Sequence, residues 1–192
     1  MKRIPEPELM DEPAQAEAYA EADFDEAHSA IVAAFDDYFP GASLEGCILD
    51  LGCGPGDISC RFASRYPQCT VTGVDGSQAM IRLANRRRAD EPEGGRLTFI
   101  EGLIPGAPIP ELPYEAIISN SLLHHLHRPG VLWETISSYA VTGTRIYVAD
   151  LRRPQNSDEA RRMVDNEFLI APGIKHAFWR WWEWKFGNRM TS

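Results

Sequence analysis

Two hydrophobic periods alternate along the chain. Apolar runs typical of strands lie at 47–51, 70–75, 97–102, 115–123 and 144–151. Helical patterns, in which apolar residues recur every three or four positions, lie at 14–39, 57–66, after Ser77, at 129–141 and at 157–170. Strands and helices that alternate in this way predict an α/β fold, with a doubly wound and mostly parallel sheet covered by helices on both faces.

The connection between the third and fourth strands departs from this alternation. It carries Pro105, Pro108, Pro110 and Pro113, and proline interrupts a helix because it lacks the N–H group. We therefore expect a short helix or none at this position. The patterns divide the chain into an N-terminal arm and helical lid at 1–43, a sheet core at 44–155, and a C-terminal helix with a Trp-rich tail at 156–192.

Composition and charge narrow the function classes. The 192 residues suffice for one sizeable core. The formal net charge of −9 disfavours a nucleic-acid partner, because phosphate backbones repel an acidic protein. The four cysteines form no CxxC pair, so we expect reduced, mostly buried thiols in a cytoplasmic protein and no metal site. No apolar run approaches the roughly 18 residues that a membrane span needs.

The segment CILDLGCGPGD, Cys47 to Asp57, leads the first strand into a loop with few side chains. Gly52, Gly54 and Gly56 permit positive φ and leave room for the backbone to approach a ligand. The helix that begins near Asp57 directs free N–H groups toward the same loop. Ligands of parallel α/β sheets bind beyond the carboxyl ends of the strands, so we predict a binding site at this loop.

Acids around this loop indicate the charge of the ligand. Dinucleotide sites have GxGxxG spacing, whereas this loop has GxGxG and is followed at once by Asp57, which disfavours a diphosphate. Asp75 ends the second strand and can accept hydrogen bonds from both hydroxyls of a ribose. Asp50 is costly to bury without a ligand cation or backbone donors. A nucleoside with a cationic tail, such as S-adenosylmethionine, is therefore favoured over a nicotinamide dinucleotide in an oxidoreductase.

The segments ILDLGCGPGD, VTGVDGSQAM and ISNSLLHHL resemble the class I S-adenosylmethionine-dependent methyltransferases, especially their small-molecule branch. The resemblance covers about residues 47–151. It implies a Rossmann-like sheet, S-adenosyl-L-methionine as the cofactor and S-adenosyl-L-homocysteine as the product. It also implies methyl transfer to a small-molecule acceptor by in-line displacement.

The same resemblance implies which residues hold the cofactor. These residues lie at the strand ends. Near the methionine part are Asp50, Gly52, Gly54 and Gly56, and near the ribose and adenosine are Asp75, Gly76 and Ser77. Met80 would contact the adenine, and beside the sulfonium are Asn120 and Ser121. Structural alternatives are a strand-end acid for Asp50, a core position for Met80 and a helix cap for Ser77. Leu103 stands where the family commonly has an acid for the adenine amino group, so its backbone makes this contact or the contact is lost.

Two further regions are candidates for acceptor chemistry. His124 and His125 stand where a general base is expected, which is needed only if the acceptor must lose a proton; a structural role is the alternative. Tyr19, with Phe24 and His28, is expected in a lid over the cofactor. The alternative for this N-terminal segment is a helix that packs on the sheet and touches no ligand.

The C-terminal part departs from the family pattern. Only 42 residues follow Asp150, so we expect the family's final strand hairpin to be absent or altered. The segment 178–186, FWRWWEWKF, contains four tryptophans. We expect it to cover the open sheet edge or to form a homodimer with a second subunit. The alternative to an active enzyme is a non-catalytic S-adenosylmethionine-binding or interaction protein, or a truncated inactive relative.

Overall fold

The structure, a computed structural model, describes residues 9–150. The helices are α1 Pro13–Ala20, α2 Asp25–Tyr38, α3 Asp57–Arg65, α4 Gln78–Asp90 and α5 Gly130–Tyr139. The strands are β1 Cys47–Leu51, β2 Thr70–Asp75, β3 Leu97–Glu101, β4 Tyr114–Asn120 and β5 Ala140–Ala149, and a short 3-10 helix lies at Gly94–Arg96. The predicted helix at 157–170, the Trp-rich segment and its dimer contact, and the family's final hairpin lie outside the described residues.

The five strands of the described part form one sheet in the order β3-β2-β1-β4-β5, and every neighbouring pair is parallel. From β1 the chain moves outward to β2 and β3, and it then returns to β4 on the other side of β1. The strand order therefore reverses between β1 and β4, and such reversals are where ligands bind in open α/β sheets. The predicted Rossmann-like parallel sheet is confirmed.

Helices cover both faces of this sheet. Alternate residues of β1 point to opposite faces, so Ile48 packs with Phe35 of α2 and Phe62 of α3 in one buried cluster. Leu49 packs with Leu132 of α5 in a second cluster. The proline-rich connection forms no helix, as expected, and its residues Ala107 and Ile109 belong to the second cluster instead. The two-sided packing that the sequence predicts is confirmed.

The predicted single helix at 14–39 is wrong, because the chain forms α1 and α2 with a break between them. The side chain of Asp23 accepts a hydrogen bond from the backbone N–H of Asp25 at 3.1 Å, which favours a turn over a continuous helix. Across the break the rings of Tyr19 and Phe24 pack with their centroids 5.1 Å apart. The alanine-rich composition indicated helix correctly but gave no sign of this bend.

Two element boundaries also differ from the prediction. Strand β4 ends at Asn120, because Ser121 adopts a φ of +57° and turns the chain away from the sheet. Helix α5 passes directly into β5 at Ala140, four residues before the predicted start of that strand. Gly143, with a φ of +96°, and a hydrogen bond from the Val141 N–H to the Thr144 hydroxyl at 2.9 Å make the beginning of β5 irregular.

The thiols of the four cysteines lie within the described part of the chain. All four thiols are unpaired, and Cys53, Cys60 and Cys69 are buried. Burial is the largest influence on the Cys60 thiol and raises its pKa to about 12. Within residues 9–150, no helix combines the length and apolar character that crossing a membrane requires. In the same range, no three His, Cys, Asp or Glu side chains gather as metal ligands would.

Candidate functional site

The three glycines of the loop after β1 have different roles. A Cβ added to Gly52 would lie 2.9 Å from the Leu122 Cβ, and one added to Gly56 would lie 2.7 Å from the Phe99 Cζ. A Cβ added to Gly54, whose φ is +52°, would meet no atom within 4 Å. Gly52 and Gly56 therefore allow close packing inside the protein, and Gly54 is the glycine of the three whose Cβ side is open to a ligand.

Asp75 lies directly beside this opening at the end of β2. Its carboxylate accepts hydrogen bonds from the backbone N–H groups of Gly54, at 2.9 Å, and Ser77, at 2.8 Å. Burial raises the pKa of Asp75, and these two hydrogen bonds oppose that shift. A carboxylate offers about four acceptor positions, so positions remain for the two hydroxyls of a ribose. The geometry fits the predicted role of Asp75.

Asp50 is the second acid near the loop, and its side chain lies inside the protein. It is 2% exposed and accepts a hydrogen bond from the Ser59 hydroxyl of α3 at 2.6 Å. Burial raises its pKa to about 7; the Ser59 hydrogen bond lowers it, and the charge of Asp75 raises it further. A positive group at this place would stabilise the ionised form of Asp50. The site thus has the chemistry to attract a cationic ligand.

Asp57 has a different role from the one that its position in the sequence indicates. Its carboxylate is 2.7 Å from the His28 Nδ1, 2.7 Å from the Arg61 Nε and 3.1 Å from the Arg87 Nη1. Burial alone would raise its pKa, but the hydrogen bonds from His28 and Arg61 hold the pKa at about 2. Asp57 therefore joins α2, α3 and α4, and the preference for a cationic ligand rests on Asp50 and Asp75 instead.

The start of α4 carries the residues predicted near the adenosine. The Ser77 hydroxyl accepts the N–H of Met80 at 3.2 Å, which makes Ser77 the N-cap of α4, and it donates to the Met10 carbonyl at 2.8 Å. Met80 is 4% exposed and packs with Ala16 of α1 and Ala79. The structure thus places Met80 in the core between α1 and α4, which was the alternative to an adenine contact.

Gly76 and Leu103 meet at the same end of the sheet. A Cβ on Gly76 would lie 2.7 Å from the Cδ2 atoms of Leu103 and Leu9. Leu103 remains 53% exposed, so an apolar side chain stands where the family commonly has an acid. Leu9, near the N-terminus, therefore lies over the end of β2. The sequence gave no signal for this contact.

The aromatic side chains of the N-terminal segment pack on one another, and its role as a lid stays a prediction. Tyr19 packs against Phe24, and the Phe24 ring stacks on His28 with centroids 5.1 Å apart. Burial raises the pKa of Tyr19, and the charges of Asp75 and Asp57 raise it further. Tyr19 also packs against the buried cluster of Ala16, Ala79 and Met80.

Asn120 and Ser121 lie at the end of β4, the strand that pairs with β1. The Asn120 side-chain amide donates to the Ser121 hydroxyl at 3.2 Å, and the Ser121 N–H donates to the Ala149 carbonyl at the end of β5 at 2.9 Å. The next residue, Leu122, packs directly on Gly52. The turn after β4 is thereby fixed between the glycine loop and β5.

The two candidate histidines follow this turn, and His124 contacts Asp150. The His124 Nδ1 lies 2.7 Å from the Asp150 Oδ1, while the other carboxylate oxygen accepts the N–H of Leu123 at 2.7 Å. The rings of His124 and His125 pack with centroids 4.2 Å apart. Sequence reasoning missed Asp150, although its position at the end of an apolar strand, like that of Asp75, was a usable signal.

A separate cavity of about 310 Å³ lies between α1 and α4. Its lining mixes acidic, basic and apolar side chains and includes no residue predicted to bind the cofactor: Glu17, Ala20, Glu21, Pro55, Leu83, Arg86, Arg87, Asp90 and Glu91. It borders the glycine loop only through Pro55. We assign the site to the strand ends, where Gly54, Asp75 and Asp50 meet, and not to this cavity.

Comparisons with known proteins agree with this geometry. Residues 48–140 match the family model described as a methyltransferase domain. Over these residues the chain is similar to methyltransferases. It is 25% identical over 138 residues, 72% of its length, to an uncharacterized methyltransferase of Mycobacterium tuberculosis, of which it covers 58%. It is 32% identical over 129 residues to a trans-aconitate 2-methyltransferase of Delftia acidovorans, covering 65% of this chain and 44% of that protein.

A solved structure shows the same fold. The crystal structure of a putative S-adenosyl-L-methionine-dependent methyltransferase from Methanococcus maripaludis superposes with a TM-score of 0.64 at 17% identity. The superposition covers 98% of this chain and 80% of that protein, and it shows the fold. The chain spans about half the length of the two sequence relatives.

The described residues fit S-adenosylmethionine, the cofactor that the resemblance implies. The Cβ side of Gly54 is open, and Asp75 beside it retains acceptor positions for hydroxyl groups. Asp50, buried and with a raised pKa, would gain from a cationic sulfonium nearby. Each of these observations concerns a property of the described side chains and agrees with a nucleoside that carries positive charge.

Proposed function

We propose that this protein is an S-adenosylmethionine-dependent methyltransferase that transfers a methyl group to a small-molecule acceptor by in-line displacement. The observation that carries the proposal is the juxtaposition at the end of β1 and β2: Gly54 open to a ligand, Asp75 with free acceptor capacity and Asp50 buried beside them. A nucleoside with a cationic centre satisfies all three. The net charge of −9 supports a small acceptor over a nucleic acid.

The cofactor supplies, when bound, a methyl carbon made electrophilic by its sulfonium. The residues of the chain then have three tasks: binding, orientation and exclusion of water. Asp75 and Gly54 would bind the ribose side. Asp50 would stabilise the positive charge, and Tyr19 with the N-terminal segment would cover the site. Asn120 and Ser121 form the wall between the cofactor and the acceptor side.

A second candidate function is S-adenosylmethionine binding without catalysis. The exposed, apolar Leu103 favours it, because the side chain beside Gly76 offers no acceptor for an adenine amino group. A fold of this kind hosts several chemistries, so the fold alone does not decide between the two. Turnover, not binding, distinguishes the candidates.

Calorimetric titration followed by an acceptor screen tests the proposal. We expect S-adenosylhomocysteine to bind and NADH not to bind. Asp75→Ala should weaken S-adenosylhomocysteine binding about 10- to 100-fold, because hydrogen bonds to a charged group contribute about 1.5–3 kcal/mol. Asp37→Ala, which removes an exposed acid of α2, is the matched control and should bind like the wild type.

Methyl transfer is then measured with labelled S-adenosylmethionine and a panel of phenols, amines, carbon acids and carboxylates. The panel includes trans-aconitate, the acceptor in the name of the Delftia relative. Transfer to one class supports the enzyme. Binding of S-adenosylhomocysteine without transfer to any class would favour the non-catalytic function, and binding that is unchanged in Asp75→Ala would refute the ribose assignment.

We further propose a cytoplasmic location, from the reduced cysteines, and a homodimer formed through the Trp-rich segment 178–186. Sedimentation at increasing protein concentration tests the dimer. A single monomer boundary at all concentrations would contradict it.

A further inference from the structure

The carboxylate of Asp150 holds the loop after β4 at two points. One oxygen accepts the backbone N–H of Leu123, and the other lies 2.7 Å from the His124 Nδ1. Both distances are those of strong, charge-assisted hydrogen bonds. The side chain of Asp150 is 12% exposed and that of His124 is 22% exposed, so the pair is largely shielded from water. The imidazole of His124 is therefore held in one position relative to β5.

This contact decides which nitrogen of His124 carries a proton in the neutral ring. An ionised carboxylate only accepts hydrogen bonds, so Nδ1 must be the donor and Nε2 must carry the lone pair. Within residues 9–150, the Nε2 of His124 forms no hydrogen bond. The neutral ring thus presents an unused proton acceptor, and its partial exposure lets a ligand reach it.

The position of the pair relative to the cofactor site is fixed by the turn after β4. Leu122, two residues before His124, packs on Gly52 of the glycine loop. Asp150 follows β5, which pairs with β4, and β4 pairs with β1. Neighbouring strands lie about 4.8 Å apart, so the end of β5, which Asp150 follows, is about 10 Å along the sheet from the end of β1. His124, which contacts Asp150, therefore lies on the β4–β5 side of the cofactor site.

We propose that His124 is the general base of the reaction, that Asp150 positions it, and that the acceptor is a nucleophile bearing a proton, such as a hydroxyl, an amine or a carbon acid. The inference rests on the proposed function and adds a substrate class to it. The acceptor atom forms a bond to the methyl carbon while the carbon–sulfur bond breaks toward sulfur, and the acceptor proton passes to the His124 Nε2. An acceptor that is already ionised, such as a carboxylate, needs no such transfer.

Comparison of two acceptor classes in one set of variants tests this inference. His124→Gln and Asp150→Asn are assayed with a proton-bearing acceptor from the panel and with trans-aconitate. We expect His124→Gln to lower kcat for the proton-bearing acceptor about 100- to 10,000-fold, the usual contribution of a general base, with KM little changed. Asp150→Asn should also lower this kcat, because an amide has one acceptor oxygen and cannot accept both the Leu123 N–H and the His124 Nδ1–H.

A second histidine of the same loop serves as the control. His127→Gln, which replaces an exposed histidine of the same loop, should leave both activities unchanged. A purely structural role of His124 would lower transfer to both acceptor classes by the same factor. That result, or methylation of carboxylates alone, would overturn the inference while leaving the proposed function intact.

A measurement that needs no acceptor makes the test independent of turnover. Diethylpyrocarbonate acylates unprotonated imidazole nitrogens, and peptide mass spectrometry locates the product. In protein saturated with S-adenosylhomocysteine, we expect acylation of His124 and a several-fold slower reaction in Asp150→Asn, with His127 unchanged. An unreactive His124, or equal rates in both proteins, would overturn the inference. Binding of S-adenosylhomocysteine without any methyl transfer would instead count against the proposed function.

Discussion

Replacing Gly54 and Gly56 in turn by alanine should separate packing from ligand binding. Gly54→Ala places a methyl group in open space, so its cost to stability is mainly the left-handed φ of +52°, about 1–2 kcal/mol. Gly56→Ala has a similar backbone cost at a φ of +81° and also sets its Cβ 2.7 Å from the Phe99 Cζ. Overpacking adds about 1–3 kcal/mol, so the total expected loss at Gly56 is roughly 2–5 kcal/mol.

The ligand affinity should follow the opposite order. The new methyl group of Gly54→Ala occupies the space through which we expect S-adenosylhomocysteine to approach, and a steric penalty of about 1–3 kcal/mol corresponds to roughly 5- to 150-fold weaker binding. Urea unfolding followed by circular dichroism gives the stability, and calorimetry gives the affinity.

A rescue variant controls for the explanation at Gly56. Phe99→Leu removes the aromatic carbon that the new Cβ would strike, so Gly56→Ala should cost less in the Phe99→Leu background than in the wild type. Unchanged S-adenosylhomocysteine affinity in Gly54→Ala would refute the inference that the ligand approaches the Cβ side of Gly54. Equal stability of the Gly54 and Gly56 variants would refute the packing reasoning.

Three further predictions concern the acids of the loop and the start of α4. Burial raises the pKa of Asp50 to about 7, so near pH 6 only about a tenth of this carboxyl group is ionised. The affinity for S-adenosylmethionine relative to S-adenosylhomocysteine should therefore fall up to about tenfold between pH 8 and pH 6. Calorimetry should show no such change in Asp50→Asn. The pKa of Asp57 is about 2, below its ordinary 3.8, so its contribution to stability is complete above pH 3.8 and is lost as the pH falls toward 2. After allowance for solvent screening, Asp57→Asn should lower the free energy of unfolding in urea by about 1–2 kcal/mol at pH 7 and by less at pH 3; equal losses would contradict this. Ser77→Ala should lower the free energy of unfolding by about 1 kcal/mol through loss of the cap. The same variant should be cleaved faster by proteases within residues 9–24. An unchanged cleavage rate would show that the bond to Met10 does not hold the segment.

The fold was largely readable from the sequence because its signals are local. Apolar runs such as ILDL and AIIS identify strands buried on both faces, and the prolines after Glu101 exclude a helix there whatever surrounds them. The bend between α1 and α2 was not readable, because it depends on the Asp23 side chain and a ring contact competing with a run of good helix formers. The abrupt passage from α5 to β5 likewise depends on tertiary pairing.

The sequence predicted where the glycine loop and the strand ends of the candidate site lie, but not which distant side chains contact them. The spacing of Gly54 and Asp75 follows from strand ends that meet at one edge of a sheet. The need for Gly56 depends on Phe99, which arrives from β3, and the role of Asp57 depends on His28 and Arg87, each about 30 positions away in sequence. Contacts between distant segments set these roles, so a linear pattern of acids gave Asp57 the wrong one.

The two hydrogen bonds of the Ser77 hydroxyl have a consequence for the segment at the end of β2. The bond to Met80 uses the oxygen as an acceptor, and the bond to Met10 uses the hydrogen as a donor. Either can therefore break without the other. Separation of Met10 from Ser77 therefore loses one hydrogen bond, about 1 kcal/mol, together with the apolar packing of Met10 beside Ala16 and Met80, while α4 keeps its cap. Any opening of the segment at the end of β2 thus leaves the first turn of α4 intact.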